Sequence, residues 1–214
     1  MAEATPQTTP QTTPQTTPEI TVRETVEADI PAITAIYNEA VANTVAVWNY
    51  DIVDEANRLQ WLAEHRVPGT VALTAVMTDD TDDTGVEQVL GYATYGDFRH
   101  YDGFRHTVEN SIYVDGTRRA GGVGTALMEE LIVRARTEDE HVMVAAIEGS
   151  NTASLKLHAK VGFEECGTVR QVGTQFRPLA GHALDAADAL TQTRPAQTRP
   201  FTPATGRRCA TLCR

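Results

Sequence analysis

The stretch YVDGTRRAGGVGTALMEE, residues 113–130, places a run of glycines between a predicted strand and a predicted helix. The strand ends with Ile112 to Val114, and the helix runs from about Gly122 to Glu138. Glycines at such a junction let backbone N–H groups approach a ligand closely, and a helix N-terminus favours negative charge. The stretch therefore predicts a phosphate-binding loop, with a plain strand-to-helix turn as the alternative.

Two common nucleotide-binding loops are excluded by the residues present. The GxGxxG pattern of dinucleotide-binding domains would need glycine at position 127, where the chain has Leu127. No acidic residue stands where such a domain would contact a ribose. The GxxxxGK[ST] loop needs a lysine, and the stretch contains none.

Length and composition indicate one globular domain with tails, because the chain has 214 residues of which 41% are hydrophobic. It has no apolar run of about 18 residues and no secretory signal, so we expect a cytoplasmic protein outside the membrane. The three cysteines are an odd number, which predicts no disulfide framework and fits a reducing compartment. Cys209 and Cys213 have no further ligand nearby, so we expect no metal.

The charge balance is strongly acidic. The chain has 29 acidic and 18 basic residues, and only Lys156 and Lys160 are lysines. A net charge of −11 argues against nucleic acid and anionic membranes as partners, because both would be repelled. The composition resembles that of proteins from salt-loving organisms, with an ordinary acidic cytosolic protein as the alternative.

The N-terminal segment differs in composition from the rest of the chain. Residues 5–18 read TPQTTPQTTPQTTP, a repeat without aliphatic or aromatic side chains. Such a segment cannot bury enough surface to offset its ordering entropy, so we predict a disordered tail over 1–18 and a folded domain over 19–176.

Periodicity and turn residues predict strands and helices in a mixed order. Strands are predicted at 19–25, 70–78, 88–97, 106–115, 141–148 and from Phe163, with helices at 28–43, 54–66, 122–138 and 151–161. The first helix begins at Asp29 and has a stripe of Ile30, Ile33, Ile36, Tyr37 and Val41; the second is capped by Asp54. This order indicates an α/β or α+β sheet between helices.

The glycine stretch and its surroundings resemble the GCN5-related (GNAT) N-acetyltransferases. The pattern Arg-x-x-Gly-x-Gly from Arg119 is similar to the family's pyrophosphate loop, and SNTASLKLHAKVGFEECG at 150–167 is similar to its second motif. The resemblance covers residues 20–176 in order. It implies the GNAT fold, a central mixed and mostly antiparallel sheet flanked by helices on both faces, with acetyl-CoA as co-substrate.

The likeness is closer still to the phosphinothricin and methionine sulfoximine or sulfone acetyltransferase branch. Blocks such as IYNEAVANTVAVWN, GYATYGDFRHYDGFRHTVENSIYV and HVMVAAIEGSNTASLKLH carry it. The resemblance implies direct acetyl transfer to a small amino acid analogue and a homodimer. The alternatives are another acceptor amine, such as a polyamine, an aminoglycoside or a protein N-terminus, and a catalytically silent acyl-CoA-binding protein.

The resemblance also implies which residues hold acetyl-CoA. They are Ile112, Tyr113, Val114, Arg119, Ala120, Gly121, Gly122, Val123, Gly124, Thr125, Asn151 and Ser154. Asn151 and Ser154 are equally interpretable as helix-cap residues.

Glu109 is the candidate general base. Strand alternation places Thr107, Glu109, Ser111 and Tyr113 on one face of the strand, beside the segment expected to hold the acetyl group. A solvated strand glutamate is the alternative. His158 is the second candidate catalytic residue, as proton donor to the leaving thiolate, or else a residue that only lines the cofactor channel.

The acceptor pocket is predicted from Trp48 and the segment YGDFRHYDGFRHT at 95–107. Arg99 and Arg105 can bind a carboxylate or phosphinate through two hydrogen bonds, while Trp48, Tyr101 and Phe104 supply apolar walls. Surface ion pairs are the alternative for both arginines.

The C-terminus departs from the family after Phe176. Residues 175–214 hold 2 acidic residues and 6 arginines, against 27 acidic and 12 basic residues before them. Codons for Arg177 to Ala187 can be chosen that, read one base later, encode a strand similar to the family's. Our hypothesis is that 177–214 is a divergent, mostly disordered tail that is out of frame, with the last strand degraded or lost; a genuine divergent tail is the alternative.

Overall fold

The computed structural model describes residues 20–78, 87–117, 121–170 and 187–193, and within these ranges the chain forms seven strands and four α-helices. The strands are β1 (Ile20–Glu24), β2 (Val71–Thr78), β3 (Glu87–Asp97), β4 (Thr107–Val114), β5 (Val142–Glu148), β6 (Glu164–Arg170) and β7 (Ala187–Thr193). The helices are α1 (Ile30–Asn43), α2 (Glu55–Glu64), α3 (Val123–Thr137) and α4 (Thr152–Lys160). The element order predicted from the sequence up to β6 is confirmed.

The strands form one sheet in the order β1-β2-β3-β4-β5-β7-β6. Every neighbouring pair is antiparallel except β4 and β5, which run parallel. The sheet is therefore mixed and mostly antiparallel, as predicted. The parallel pair follows from the helical crossover through α3, since parallel neighbours need a long connection.

Helices cover both faces of the sheet, and strand alternation decides which residues meet them. Leu73 and Ala93 belong to the core that contains Leu127 and Leu131 of α3. The adjacent residue Ala72 instead packs with Ile30 and Leu62 of the α1–α2 layer. The predicted stripe of α1 is confirmed, because Ile30, Ile33, Ile36, Tyr37 and Val41 are all buried.

The start of α2 is fixed locally. The side chain of Asp54 accepts a hydrogen bond from the backbone N–H of Asn57 at 2.8 Å, which satisfies one of the free donors of the first turn. The predicted cap is confirmed. It holds the connection between α1 and α2, which carries Trp48.

Strand β7 bears on one expectation about the C-terminus. We expected the last strand to be degraded or lost, and a strand is present, since Ala187–Thr193 pairs with β5 on one side and β6 on the other. A strand there satisfies backbone groups that both neighbours would otherwise leave unpaired. The predicted N-terminal tail over 1–18, and the predicted tail apart from 187–193, lie outside the described residues.

Among the described residues, no helix combines the length and apolar character needed to cross a membrane.

Candidate active site

A cleft opens where β4 and β5 part. Their parallel register covers only Thr107↔Val142, Val108↔Met143 and Glu109↔Val144. Beyond these pairs lies a cleft of about 710 Å³. Its walls are residues 110–114 of β4, 145–148 of β5, the first turns of α3 and α4, and residues at the end of α1.

Most of the predicted cofactor residues line this cleft. They are Ile112, Tyr113, Val114, Gly122, Gly124, Thr125, Asn151 and Ser154. The Val123 side chain instead lies in the core, 2% exposed, so only its backbone could serve a ligand. Gly121 is exposed beside the cleft lining, and the predicted contacts Arg119 and Ala120 lie outside the described residues.

The glycines are required by conformation at one position and by packing at another. Gly122 is the N-cap of α3 and has φ +82°, a left-handed conformation that glycine adopts without steric cost. At Gly124, a Cβ atom would lie 3.1 Å from a methyl group of Leu157, so glycine allows α3 and α4 to pack closely. Together they bring the N-terminus of a 15-residue helix to the cleft, where its dipole favours an anion.

Asn151 caps α4. Its Oδ1 accepts a hydrogen bond from the backbone N–H of Ser154 at 3.2 Å, which confirms the helix-cap interpretation of this residue. Its Nδ2 donors are not used by that cap, and Asn151 also lines the cleft. The cap therefore fixes a side chain that can still donate to a ligand.

Glu109 stands at the last paired position before the strands part. Its side chain is half-buried, and burial raises the pKa of the carboxyl group while the positive charge of Arg99 partly opposes the shift. Nη1 of Arg99 lies 4.0 Å from Oε2 of Glu109. A carboxylate with a raised pKa next to a cleft is suited to accept a proton.

The predicted acceptor residues are less closely grouped in the structure than the sequence predicted. The Arg99 guanidinium stacks on the ring of Phe98 at 4.2 Å and reaches Glu109, whereas Arg105 donates to the backbone oxygen of Asp102 at 3.3 Å. Tyr101 is 73% exposed. The structure thus brings Arg99 to Glu109 and leaves Tyr101 and Arg105 on an exposed connection.

Trp48 lies on the connection after α1 and is partly buried. Its Nε1 donates to the backbone oxygen of Val45, itself a residue of the cleft wall, at 3.3 Å. Trp48 is therefore adjacent to the cleft lining without being part of it.

His158 is 2% exposed and lines the cleft. Its Nδ1 lies 2.8 Å from the backbone oxygen of Ser154, and since a carbonyl oxygen can only accept, Nδ1 carries the hydrogen. Burial lowers the pKa of His158, and its hydrogen bond to the backbone of Ser154 only partly opposes this. The ring is therefore neutral, with an unprotonated Nε2, which favours a lining role over proton donation.

Asn110 is a cleft residue that sequence reasoning did not select. It is 6% exposed, and its Nδ2 lies 3.3 Å from Nε2 of His158 and 3.4 Å from Sδ of Met128. The available signal was an amide among the apolar residues that alternate on the buried face of β4.

Within the described ranges, no group of three or more His, Cys, Asp or Glu side chains is placed to hold a metal ion. The described part of the cleft lining offers a ligand carboxylates, side-chain amides, hydroxyl groups, the His158 ring and backbone donors and acceptors, and the Glu109 carboxylate lies next to it.

Comparisons with known proteins agree on the family of this chain. A sequence model described as the Acetyltransferase (GNAT) family matches residues 33–163. The chain is 50% identical over 149 residues to an L-methionine sulfoximine/L-methionine sulfone acetyltransferase of Pseudomonas aeruginosa, covering 70% of this chain and 83% of that protein. It is 33% identical over 150 residues to a phosphinothricin N-acetyltransferase of Streptomyces coelicolor, covering 70% of this chain and 85% of that protein.

A solved structure is similar over a wider span. It is yncA from Salmonella typhimurium with its cofactor acetyl-CoA, at a TM-score of 0.73 and 38% identity. The match covers 85% of this chain and 97% of that one.

Proposed function

The chain belongs to the acetyltransferase (GNAT) family, and from this premise we propose that it transfers acetyl from acetyl-CoA to the amine of a small amino acid analogue. Methionine sulfoximine, methionine sulfone and phosphinothricin are the candidate acceptors, because similar proteins are named for acting on them. The observation that carries the proposal is Glu109, a carboxylate at the point where β4 and β5 part to form the cleft.

The residues present fit acetyl-CoA. The backbone edge of residues 110–114 can pair with amide groups of a pantetheine arm, because it has left its register with β5. The N-terminus of α3, with Gly122 and Gly124, can receive the pyrophosphate. Gly121, Val123 and Thr125 contribute backbone or hydroxyl donors there, and Arg119 and Ala120 keep their proposed roles in the same loop.

In the proposed reaction Glu109 takes the proton from the acceptor's ammonium group, directly or through a water molecule. The freed amine nitrogen bonds to the acetyl carbon, the carbon–sulfur bond breaks, and the proton that the nitrogen then loses passes to the sulfur, directly or through water, so that CoA leaves as a thiol. This is a direct transfer without an acyl-enzyme. Burial of Glu109 supports the role, because the raised pKa brings proton affinity closer to that of an effective base near neutral pH.

Arg99 is the proposed contact for the acceptor's anionic group. It is exposed, stacks on Phe98 and stands next to Glu109, so an acceptor can be held with its amine toward the base. Trp48, Tyr101 and Arg105 are proposed to line the acceptor entrance. A homodimer, a cytoplasmic location and a halophilic origin are parts of the proposal that rest on resemblance and composition.

The test is a thiol-release assay with acetyl-CoA over a panel of amino acid analogues, polyamines and aminoglycosides, at low and molar salt. We expect release with the sulfoximine, sulfone or phosphinothricin acceptors, and higher rates in molar salt if the origin is halophilic. Release only with polycationic amines would contradict the proposed acceptor class. Thermal stabilisation by acetyl-CoA without release from any acceptor would instead indicate a silent acyl-CoA-binding protein.

A further inference from the structure

Asn110 occupies the buried face of β4 at the first position beyond its register with β5. It is paired across the sheet with Tyr95, and its side chain reaches α3 at Met128 and α4 at His158. A primary amide in such a place costs free energy unless its donors and its acceptor find partners.

The orientation of the amide follows from the tautomer of His158. Nδ1 of the ring donates to the backbone oxygen of Ser154, so in the neutral ring Nε2 has a lone pair and no hydrogen. Only the Nδ2 end of Asn110 can donate to that lone pair, and the same group also faces the weak acceptor Sδ of Met128. Both contacts hold the nitrogen inward, so Oδ1 has to point the other way.

The Oδ1 end opens into the cleft. Asn110 lines the cleft wall, and among the described residues its Oδ1 has no hydrogen-bond partner. Among the described residues, the buried side-chain oxygens with neither solvent contact nor a hydrogen-bond partner belong to Tyr92, Tyr95 and Glu140. Oδ1 of Asn110 is not one of them. The cleft thus presents a fixed acceptor beside Glu109, and an acceptor calls for a ligand that brings an N–H group.

We propose that Oδ1 of Asn110 accepts a hydrogen bond from the pantetheine amide N–H nearest the thioester, with His158 as the positioning residue that holds the amide. This rests on the proposed function. The amide nearest the thioester is chosen because Asn110 follows the base Glu109 directly, and this N–H is the first donor along the arm from the reacting carbon.

The amide oxygen of Asn110 is not suited to stabilise the leaving group. An oxygen lone pair repels the negative charge that grows on a departing thiolate, so this residue fixes the arm rather than stabilising the leaving group. The hydrogen bond from Asn110 is equally strong in the ground state and in the transition state. Its loss therefore raises KM for acetyl-CoA and leaves kcat nearly unchanged.

The experiment compares two ligands by calorimetry on the full chain: acetyl-CoA, and an analogue whose amide nearest the sulfur is replaced by an ester. The ester lacks the N–H and keeps the shape. We expect the wild type to bind the ester roughly 5- to 10-fold more weakly, the range for one hydrogen bond between neutral groups. Asn110→Leu should bind both ligands with equal affinity.

Two further variants separate positioning from structure. His158→Phe removes the acceptor that holds Nδ2, so we expect the preference for the amide ligand to fall below about twofold while Asn110 is still present. Asn57→Leu makes the same change at an exposed residue of α2 outside the cleft lining, and should keep the full preference. If Asn110→Leu fails to fold, Asn110→Ser replaces it, since its shorter side chain cannot reach the arm.

Each outcome bears on one of the two proposals or on both. Equal affinity of the wild type for both ligands, or a preference retained in Asn110→Leu, would overturn the inference and leave the proposed function standing. Failure of the wild type to bind acetyl-CoA at all would overturn both. An ¹⁵N spectrum of histidine-labelled protein in which Nε2 of His158, and not Nδ1, carries the hydrogen would also overturn the inference.

Discussion

The two edges of β4 behave in opposite ways. Toward β3 the strand is in register over seven residues, from Gly91↔Val114 to Asp97↔Val108. Toward β5 the register covers three residues and stops at Glu109. One edge is thus closed by another strand, and the other offers its backbone groups to the cleft. An open edge inside a sheet is costly unless something pairs with it, which is why a ligand-binding role fits this one.

Strand β5, on the other side of the cleft from the open edge of β4, is held mainly by β7. β5 has only three residue pairs with β4, but six pairs, Met143↔Thr193 to Glu148↔Asp188, with β7. β7 also pairs with β6. The cleft can therefore stay open because β5 is held mainly from its other side.

The largest expected effect comes from removing that support. Deleting residues 177–214 takes β7 away, and we expect the cooperative unfolding transition and acetyl-CoA binding to be lost, because β5 and β6 lose their common partner. Deleting 194–214 leaves β7 and is the matched control. Both are measured by thermal unfolding with and without acetyl-CoA.

The same pair of deletions tests whether the tail contributes to the fold, and a strand replacement tests the proposed reading-frame change. If the 177–214 deletion stays folded and binds acetyl-CoA, β7 contributes nothing and the tail is dispensable. If the tail is out of frame, replacing 177–193 with the family-like strand should raise the melting temperature above that of the natural chain, and sequencing the source gene checks the premise.

The next largest effect is expected on kcat, from a change at Glu109, where the open edge of β4 begins. Glu109→Gln should lower kcat by about 100-fold or more, the usual loss for a general base, with little change in acetyl-CoA affinity. A carboxylate accepts a proton only when it is ionised. If Glu109 is the base, the wild-type rate should therefore fall as pH drops through the pKa that burial has raised, and the variant should lack this fall. Thiol release across pH gives both results.

Glu140→Gln is the control for that variant. Burial raises the pKa of Glu140 as well, to about 7, with the charges of Glu138, Asp97 and Asp139 adding to the shift. Glu140 precedes the paired residues of β5, at the end away from the cleft, so the same chemical change there should leave kcat unaltered. Equal losses in the two variants would mean that Glu109 acts through stability rather than as a base.

The smallest effect concerns the closed edge. A Cβ at Gly91 would lie 2.7 Å from the backbone oxygen of Tyr113 and 3.1 Å from Cα of Val114. Gly91→Ala should therefore lower the free energy of unfolding by about 1–3 kcal/mol, because the two strands must move apart. Urea unfolding is the measurement.

Gly96→Ala is the matched change on the same strand. The nearest atom to its Cβ is a methyl carbon of Thr70 at 3.9 Å, so we expect a change within about 0.5 kcal/mol. If Gly91→Ala is equally neutral, β3 and β4 are not held together as tightly as their register implies.

The sequence determined what depends on neighbouring residues. The stripe of α1, the cap at Asp54 and the strand–glycine–helix junction at Gly122 could be predicted because they follow from periodicity and local hydrogen bonding. Alternation also separated Glu109 from Asn110 correctly, since successive side chains of a strand point to opposite faces. The element boundaries mostly moved by one or two residues, as fraying ends do.

Only the tertiary structure decided how far β4 and β5 stay paired, where β7 lies, and which nitrogen of His158 carries the hydrogen. The contact between Asn110 and His158 joins residues 48 positions apart, and the pairs between β5 and β7 join residues 40 to 50 positions apart. No local pattern contains such distances in sequence. They are set when the helices and strands pack, because each buried polar group must then find whichever partner the fold has brought within reach.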